Sequence, residues 1–339
     1  GIISPMSGTK WIAILLITFA LGLGGCAAGG QAAAMDTPAA PSAAPVESTS
    51  TPAAPTATAT PAFTATVTTT PTVTPTATTP PTPTPDTRML PDSWGGWPPV
   101  PEVSMHVADI FRRGQELGNN PHAFSVVGDC QSEPNVFLGI YATDRYWLTD
   151  KYQYLQETID WFAGSFEHHS VSVKDGQSVA SALNPMWADP ALCEPGENPV
   201  ACELRINKPA FMFINLGTNW KNGGPTAHEK YLREIVQLAL DNGTIPILTT
   251  KADNIEGDNS LNAATVRVAY DMDVPLMNFW LAAASLENHG LDPEREDMYL
   301  TPNAWDLRNF TALMTLDTVW KKIREAATLE QQGQAGPGG

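Results

Sequence analysis

The sequence is poor in positive charge: 19 Lys and Arg stand against 36 Asp and Glu in 339 residues, a formal net charge of −17. No Lys/Arg cluster interrupts that acidity. Nucleic acid and anionic lipid headgroups, which need clustered cations, are therefore poor ligands, and neutral or cationic ones fit better. Cysteine is scarce, with four in the chain, so a dense disulfide framework is excluded. Metal-ligand spacing is missing too. His168-His169 has no companions, and Asp253-Asn254-Ile255-Glu256-Gly257-Asp258 has its glycine one place early for a calcium loop and no closing Glu. Neither a metal nor a cofactor is called for. No apolar run reaches the ~20 residues of a membrane-crossing helix; residues 11–23 come nearest and stop short.

That run has a role of its own. Met6 reads as the start, Lys10 as a short positive n-region, and residues 11–23 as an apolar h-region. It ends in Leu23-Gly24-Gly25-Cys26, which resembles a bacterial lipobox: small residues before the cysteine admit a peptidase, and the thiol carries the lipid. An ordinary secretory signal with an incidental Cys26 is the alternative. On the lipoprotein reading, residues 1–25 are a signal peptide absent from the mature protein. Acyl chains on Cys26 then hold it at a membrane surface, each buried methylene contributing about 0.8 kcal/mol.

Residues 26–89 follow as a stalk, almost entirely Ala, Thr, Pro and Ser from residue 27 onward. Nothing there can bury a core and offset the entropy of ordering the backbone, and dense proline keeps it extended. Residues 90–330 suffice for one domain with a substantial core; residues 331–339 read as a frayed tail. Within the domain, Cys193 and Cys202 bracket a short loop, and export makes a disulfide permissible there. Cys130 is then the odd cysteine, either buried and inert or reactive.

Apolar strand-like runs alternate with helical patterns, which predicts a three-layer α/β/α domain with a central parallel sheet. Strands are expected at 123–127, 170–173, 211–216, 245–249 and 274–279, that at 211–216 apolar almost throughout, as a strand buried on both faces should be. Tyr231, Ile235, Val236, Leu238 and Leu240 give a helix ending at Gly243. Residues 262–270 give another, and Phe310, Leu313, Met314, Leu316, Val319 and Ile323 line one face of a last helix. In open parallel sheets ligands sit beyond the carboxyl ends of the strands. Two segments leave strands at that edge with glycine and polar residues: Gly128-Asp129-Cys130 and Gly217-Thr218-Asn219.

With these segments in place the chain resembles the SGNH/GDSL hydrolases over most of residues 123–320. The resemblance implies an esterase-like fold with four blocks. Cys130 occupies the position of the nucleophilic serine in the first block. Gly176, in Asp175-Gly176-Gln177-Ser178, matches the second block's oxyanion-hole glycine. Asn219 matches the third block's oxyanion-hole asparagine, with Trp220 where aspartate usually follows. The fourth block carries an acid and a histidine three residues apart before a Leu-Thr-Pro turn. Aligned on Leu300-Thr301-Pro302, Glu296 takes the acid's place and Tyr299 the histidine's.

Those departures bear on chemistry. Acyl transfer needs a nucleophile, a base and oxyanion donors. Cys130 can serve as nucleophile, although at an ordinary pKa of about 8.5 only a few per cent is thiolate at neutral pH. Tyr299, a phenol with a pKa of about 10, donates a hydrogen bond but does not take the nucleophile's proton. His289 is the candidate replacement base, or else a loop histidine fixing a turn. Ser132 is a second candidate nucleophile, though two residues along the turn it should point elsewhere. Asp129 is either a hydrogen-bond partner of the site or the cap of the following turn. Trp220 is expected at the site mouth. Two functions follow: a cell-surface acyl-ester hydrolase, or a catalytically silent relative whose pocket binds a surface glycan or acylated polymer.

Overall fold

Alternation of side chains along the strands builds two cores on one sheet. The computed structural model describes residues 86–334 other than Lys221, Glu296 and Asp297. Its strands β1 (Asn120–Gly128), β2 (Pro209–Asn215), β3 (Ile245–Thr249) and β4 (Leu276–Met277) pair in parallel in that order. Phe124 and Val126 of β1, Phe211 and Phe213 of β2, and Ile245 and Ile247 of β3 enter one core. Their odd-even neighbours Val127, Met212, Ile214 and Leu248 enter the other. Period-two strands with apolar residues on both sides require cover on both faces.

The helices supply it. α1 (His106–Glu116) and α2 (Gln156–Trp161) precede β2, as does α3 (Pro199–Asn207); α4 (Pro225–Asp241) and α5 (Ser260–Asp271) connect the later strands. α6 (Phe279–Ala283) follows β4, and α7 (Pro302–Gln334) ends the domain. Every step along the sheet runs the same way, so right-handed crossovers place α3, α4 and α5 on one face. Leu204, Leu232, Ile235, Val236 and Val266 fill that core. The opposite face is left for the ends of the domain: Ile110 of α1 and Leu313, Leu316, Val319 and Ile323 of α7 pack there. This is the expected three-layer α/β/α architecture.

Two strands are shorter than their composition suggests. β4 stops at Met277 because Asn278 turns the chain into α6, its Oδ1 accepting from Leu281 N and from the Thr250 hydroxyl. Around Val173 only a single bridge to Gly128 forms. The Ser170 hydroxyl takes Ser172 N at 3.1 Å, a local bond that competes with a ladder, and the Ser172 hydroxyl donates across to Val126 O of β1 at 3.1 Å. Cys193 and Cys202 form a disulfide that ties the preceding loop to α3. Among the described residues no helix is long and apolar enough to cross a membrane. The lipobox and the stalk up to residue 85 lie outside the described residues.

Candidate functional site

The chain leaves β1 towards Val173 on one side of that strand and returns as β2 on the other. Strand order therefore reverses at the carboxyl end of β1, the place where open sheets hold ligands. The local sequence is tightly constrained there. A Cβ on Gly128 would stand 2.1 Å from the Ser132 Oγ and 3.2 Å from Asn215 O, so only glycine lets the chain double back into the short turn Cys130–Ser132. Asp129 caps that turn by accepting from Gln131 N at 3.0 Å.

Asp129 is also a partner of the third block. Its second oxygen accepts from the Asn219 amide at 2.9 Å, and the same amide nitrogen reaches Gln177 O at 3.4 Å. Asp129 thus fills both roles open to it from sequence. Gln177 is fully buried and donates to Gly128 O at 3.1 Å, binding the second segment to the first. Gly176 sits in the turn closed by Gln177 N on Lys174 O, with φ +69°. That is the left-handed position of a type II turn, which glycine occupies without penalty. The structure brings Asp129, Gln177 and Asn219 together, with the exposed turn of Gly176 beside them.

Electrostatics set these groups apart from ordinary surface residues. Burial pushes the Asp129 carboxyl up to about 6, against the opposing pull of the Gln131 N–H and the Arg308 charge. Cys130 is outside the disulfide, half-buried, in a turn of three residues; so short a turn carries little of a full helix's dipole. Ser132 is buried beneath the turn, its Oγ at 3.4 Å from the Asn215 amide.

Next to Asp129 lies a polar cavity of ≈ 40 Å³, lined among others by Gln131, Asn215, Thr218, Met298 and Arg308. On its β3 side Lys251 donates to Asp253 at 2.6 Å and to Glu256 at 2.5 Å, and Thr218 donates to the other Asp253 oxygen at 2.8 Å. These three charged side chains are nearly buried and mutually paired, as buried charges must be. The acidic segment read as a loop between β3 and α5 is therefore knitted to the cavity wall.

The fourth-block residues lie differently. Tyr299 is half-buried, with the Arg295 guanidinium 3.7 Å above its ring and its carbonyl accepting from Asp292 N. His289 has φ +56°, its Nε2 lies 2.7 Å from Trp280 O, and its ring packs 5.0 Å from that of Trp280. A carbonyl only accepts, so Nε2 carries a proton in this contact. Glu296 lies outside the described residues. Trp220 donates to Gly224 O and packs edge-on against Tyr231. Among the described residues, no histidine lines the cavity.

Sequence reasoning overlooked several groups. Arg308, on the first turns of α7, is buried and donates to Gln131 O at 2.6 Å. His228 is buried on α4, near Thr265 at 3.2 Å, and burial together with the Lys251 charge lowers it to about 4. It is therefore neutral at pH 7. A charged residue on an otherwise apolar helical stripe was the available signal for Arg308; His228 left none beyond its place on the same stripe as Leu232 and Ile235.

No family model matches the chain, and no curated protein matches it. Solved structures similar to it include a GDSL-like lipase from Bacteroides thetaiotaomicron, 16% identical, covering 65% of this chain and 99% of that one at a TM-score of 0.38. A psychrotrophic esterase from a Pseudoalteromonas species is 15% identical, with 61% and 99% covered and a TM-score of 0.38. A two-domain esterase active on acetylated mannans is 12% identical, with 67% and 56% covered and a TM-score of 0.41.

Proposed function

We propose that this chain is an exported, lipid-anchored acyl-ester hydrolase of the SGNH type. The observation that carries the reading is the 2.9 Å contact between Asn219 and Asp129. It joins the third motif to the first at the strand edge where the thiol of Cys130 also sits. In this reading the Cys130 thiolate attacks the ester carbonyl, the alcohol leaves, and water hydrolyses the thioester. Asn219 and the Gly176 amide are the oxyanion donors. Cys26 anchors the protein through lipid, and the substrate is a small or polymeric ester outside the cell.

A second reading has its own observation. Both hydrogens of the Asn219 amide already have acceptors, Asp129 and Gln177 O, and Tyr299 stands where a base is needed. A silent domain that binds an acylated polymer or glycan without turnover fits that arrangement. Hydrolysis of p-nitrophenyl acetate by the full chain, beside Cys130→Ala, separates the two. Turnover abolished by Cys130→Ala supports the hydrolase. A rate equal to buffer for both proteins removes ester hydrolysis and favours the silent domain. In that case Cys130→Ser combined with Tyr299→His asks whether a serine and a histidine restore turnover.

A further inference from the structure

Of the two cations that line the cavity, Lys251 and Arg308, only Arg308 has no counter-charge within ion-pair distance among the described residues. Its side chain is 7% exposed and lines the cavity beside Asp129 and Gln131. One guanidinium nitrogen donates to Gln131 O at 2.6 Å, and the plane lies 4.5 Å over the Phe137 ring. The remaining edge, Nε and the second Nη, donates to no described residue. A buried cation is ordinarily paired, because desolvation penalises an isolated charge heavily.

The acids nearby do not fill the gap, since each is committed elsewhere. Asp129 takes Asn219 and Gln131 N, while Asp253 takes Lys251 and Thr218. The cavity of ≈ 40 Å³ therefore has a free guanidinium edge in its wall.

We propose that the cavity binds a ligand carboxylate, held by the open edge of Arg308. Guanidinium matches a planar carboxylate by two parallel hydrogen bonds, and three heavy atoms fit the volume where a bulky headgroup does not. The assignment builds on the ester-hydrolase reading and narrows its substrate to an ester with a free carboxylate close by, as in an acylated uronic acid or hydroxy acid. It reverses, locally, the preference for neutral or cationic ligands that the overall acidity suggests.

The test reads binding, so it is independent of turnover. Thermal unfolding of the full chain is followed with acetate, with its neutral isostere acetamide, with D-galacturonate and with inorganic phosphate at equal ionic strength. A saturable rise in Tm with acetate and a larger one with D-galacturonate, with none from acetamide, is the expected result. Equal responses to acetate and acetamide, a response to phosphate without one to carboxylates, or no response at millimolar concentrations would each overturn the proposal. Arg308→Lys keeps the charge and loses the fork, and should weaken the acetate response at least tenfold; Arg308→Met should abolish it. If Arg308→Met does not fold, the wild-type comparison of acetate with acetamide still decides. Carboxylate binding by a protein without esterase activity would leave this site standing and remove only the hydrolase.

Discussion

Asp129→Asn should stabilise the protein at neutral pH and lose that advantage in mild acid. The Asp129 carboxyl is raised from 3.8 to about 6, chiefly by burial. A folded-state pKa above the unfolded one means that the native protein holds its proton more tightly. Stability from the protonated form is complete below the unfolded pKa and is lost as pH rises through the folded one. A difference of about two units corresponds to roughly 3 kcal/mol, of which about half is spent between pH 5 and pH 8. Asparagine removes the charge but keeps the shape. Its single acceptor can serve Gln131 N or Asn219, not both, and the lost bond costs about 1 kcal/mol. The variant should therefore gain roughly 1–2 kcal/mol at pH 8 and close to nothing at pH 5. Urea unfolding of both proteins at several pH values reads this directly. A difference that stays flat from pH 5 to pH 8, or grows towards acid, would refute the burial argument.

Gly128→Ala should cost about 2 kcal/mol or more in chemical denaturation, because its methyl would fall on the buried Ser132 side chain and Ser132 has nowhere open to go. Reduction of the Cys193–Cys202 disulfide, or Cys193→Ser, removes a closed loop with a sequence separation of 9 and should lower unfolding free energy by about 2.5 kcal/mol. Glu203→Ala should cost about 3 kcal/mol or more at neutral pH, since it strands the Ser125 hydroxyl, Val171 N and His168 around a buried site. Burial pushes Glu203 up, but hydrogen bonds from His168 and Ser125 outweigh it and hold the carboxyl below its ordinary range. Its contribution is thus present at neutral pH and lost as pH falls through the folded-state value, so the variant's deficit should shrink in acid; a constant deficit would count against the charged form.

The architecture was legible because it rests on periodicity. Phe211-Met212-Phe213-Ile214 alternates between two cores, and a strand apolar on both faces has no other stable home than a covered sheet. Ile245–Thr249 has the bounds expected of it for the same reason. The expectation ran long where side chains, not periodicity, decided. Asn278 ends β4 by capping α6, and Ser170 diverts its neighbourhood from ladder to a local bond. Asn278 and Ser170 are polar side chains bonding backbone within a few residues, which apolar content does not register.

The site was legible only where its residues are consecutive. Gly128-Asp129-Cys130 and Gly217-Thr218-Asn219 each announce a strand ending in a turn, and the sheet brings the two turns together. The cavity wall is different in kind. Gln131 and Arg308 are 177 positions apart and meet because α7 returns over the end of β1. Nothing in the spacing of α7 shows that its early turns reach the carboxyl edge while its later turns pack on α1. What distinguishes Arg308 is a buried cation with no ion-pair partner among the described residues, on a helix whose other buried charge, Asp317, is paired with Lys321. A chain does not bury a guanidinium for packing when an aliphatic side chain would serve at lower cost, so the missing partner itself points towards a ligand. The same logic separates Arg308 from Lys251: both charges are sunk beside one cavity, but Lys251 is neutralised by Asp253 and Glu256 and asks for nothing more. Only the unpaired cation leaves an interaction for a bound molecule to complete.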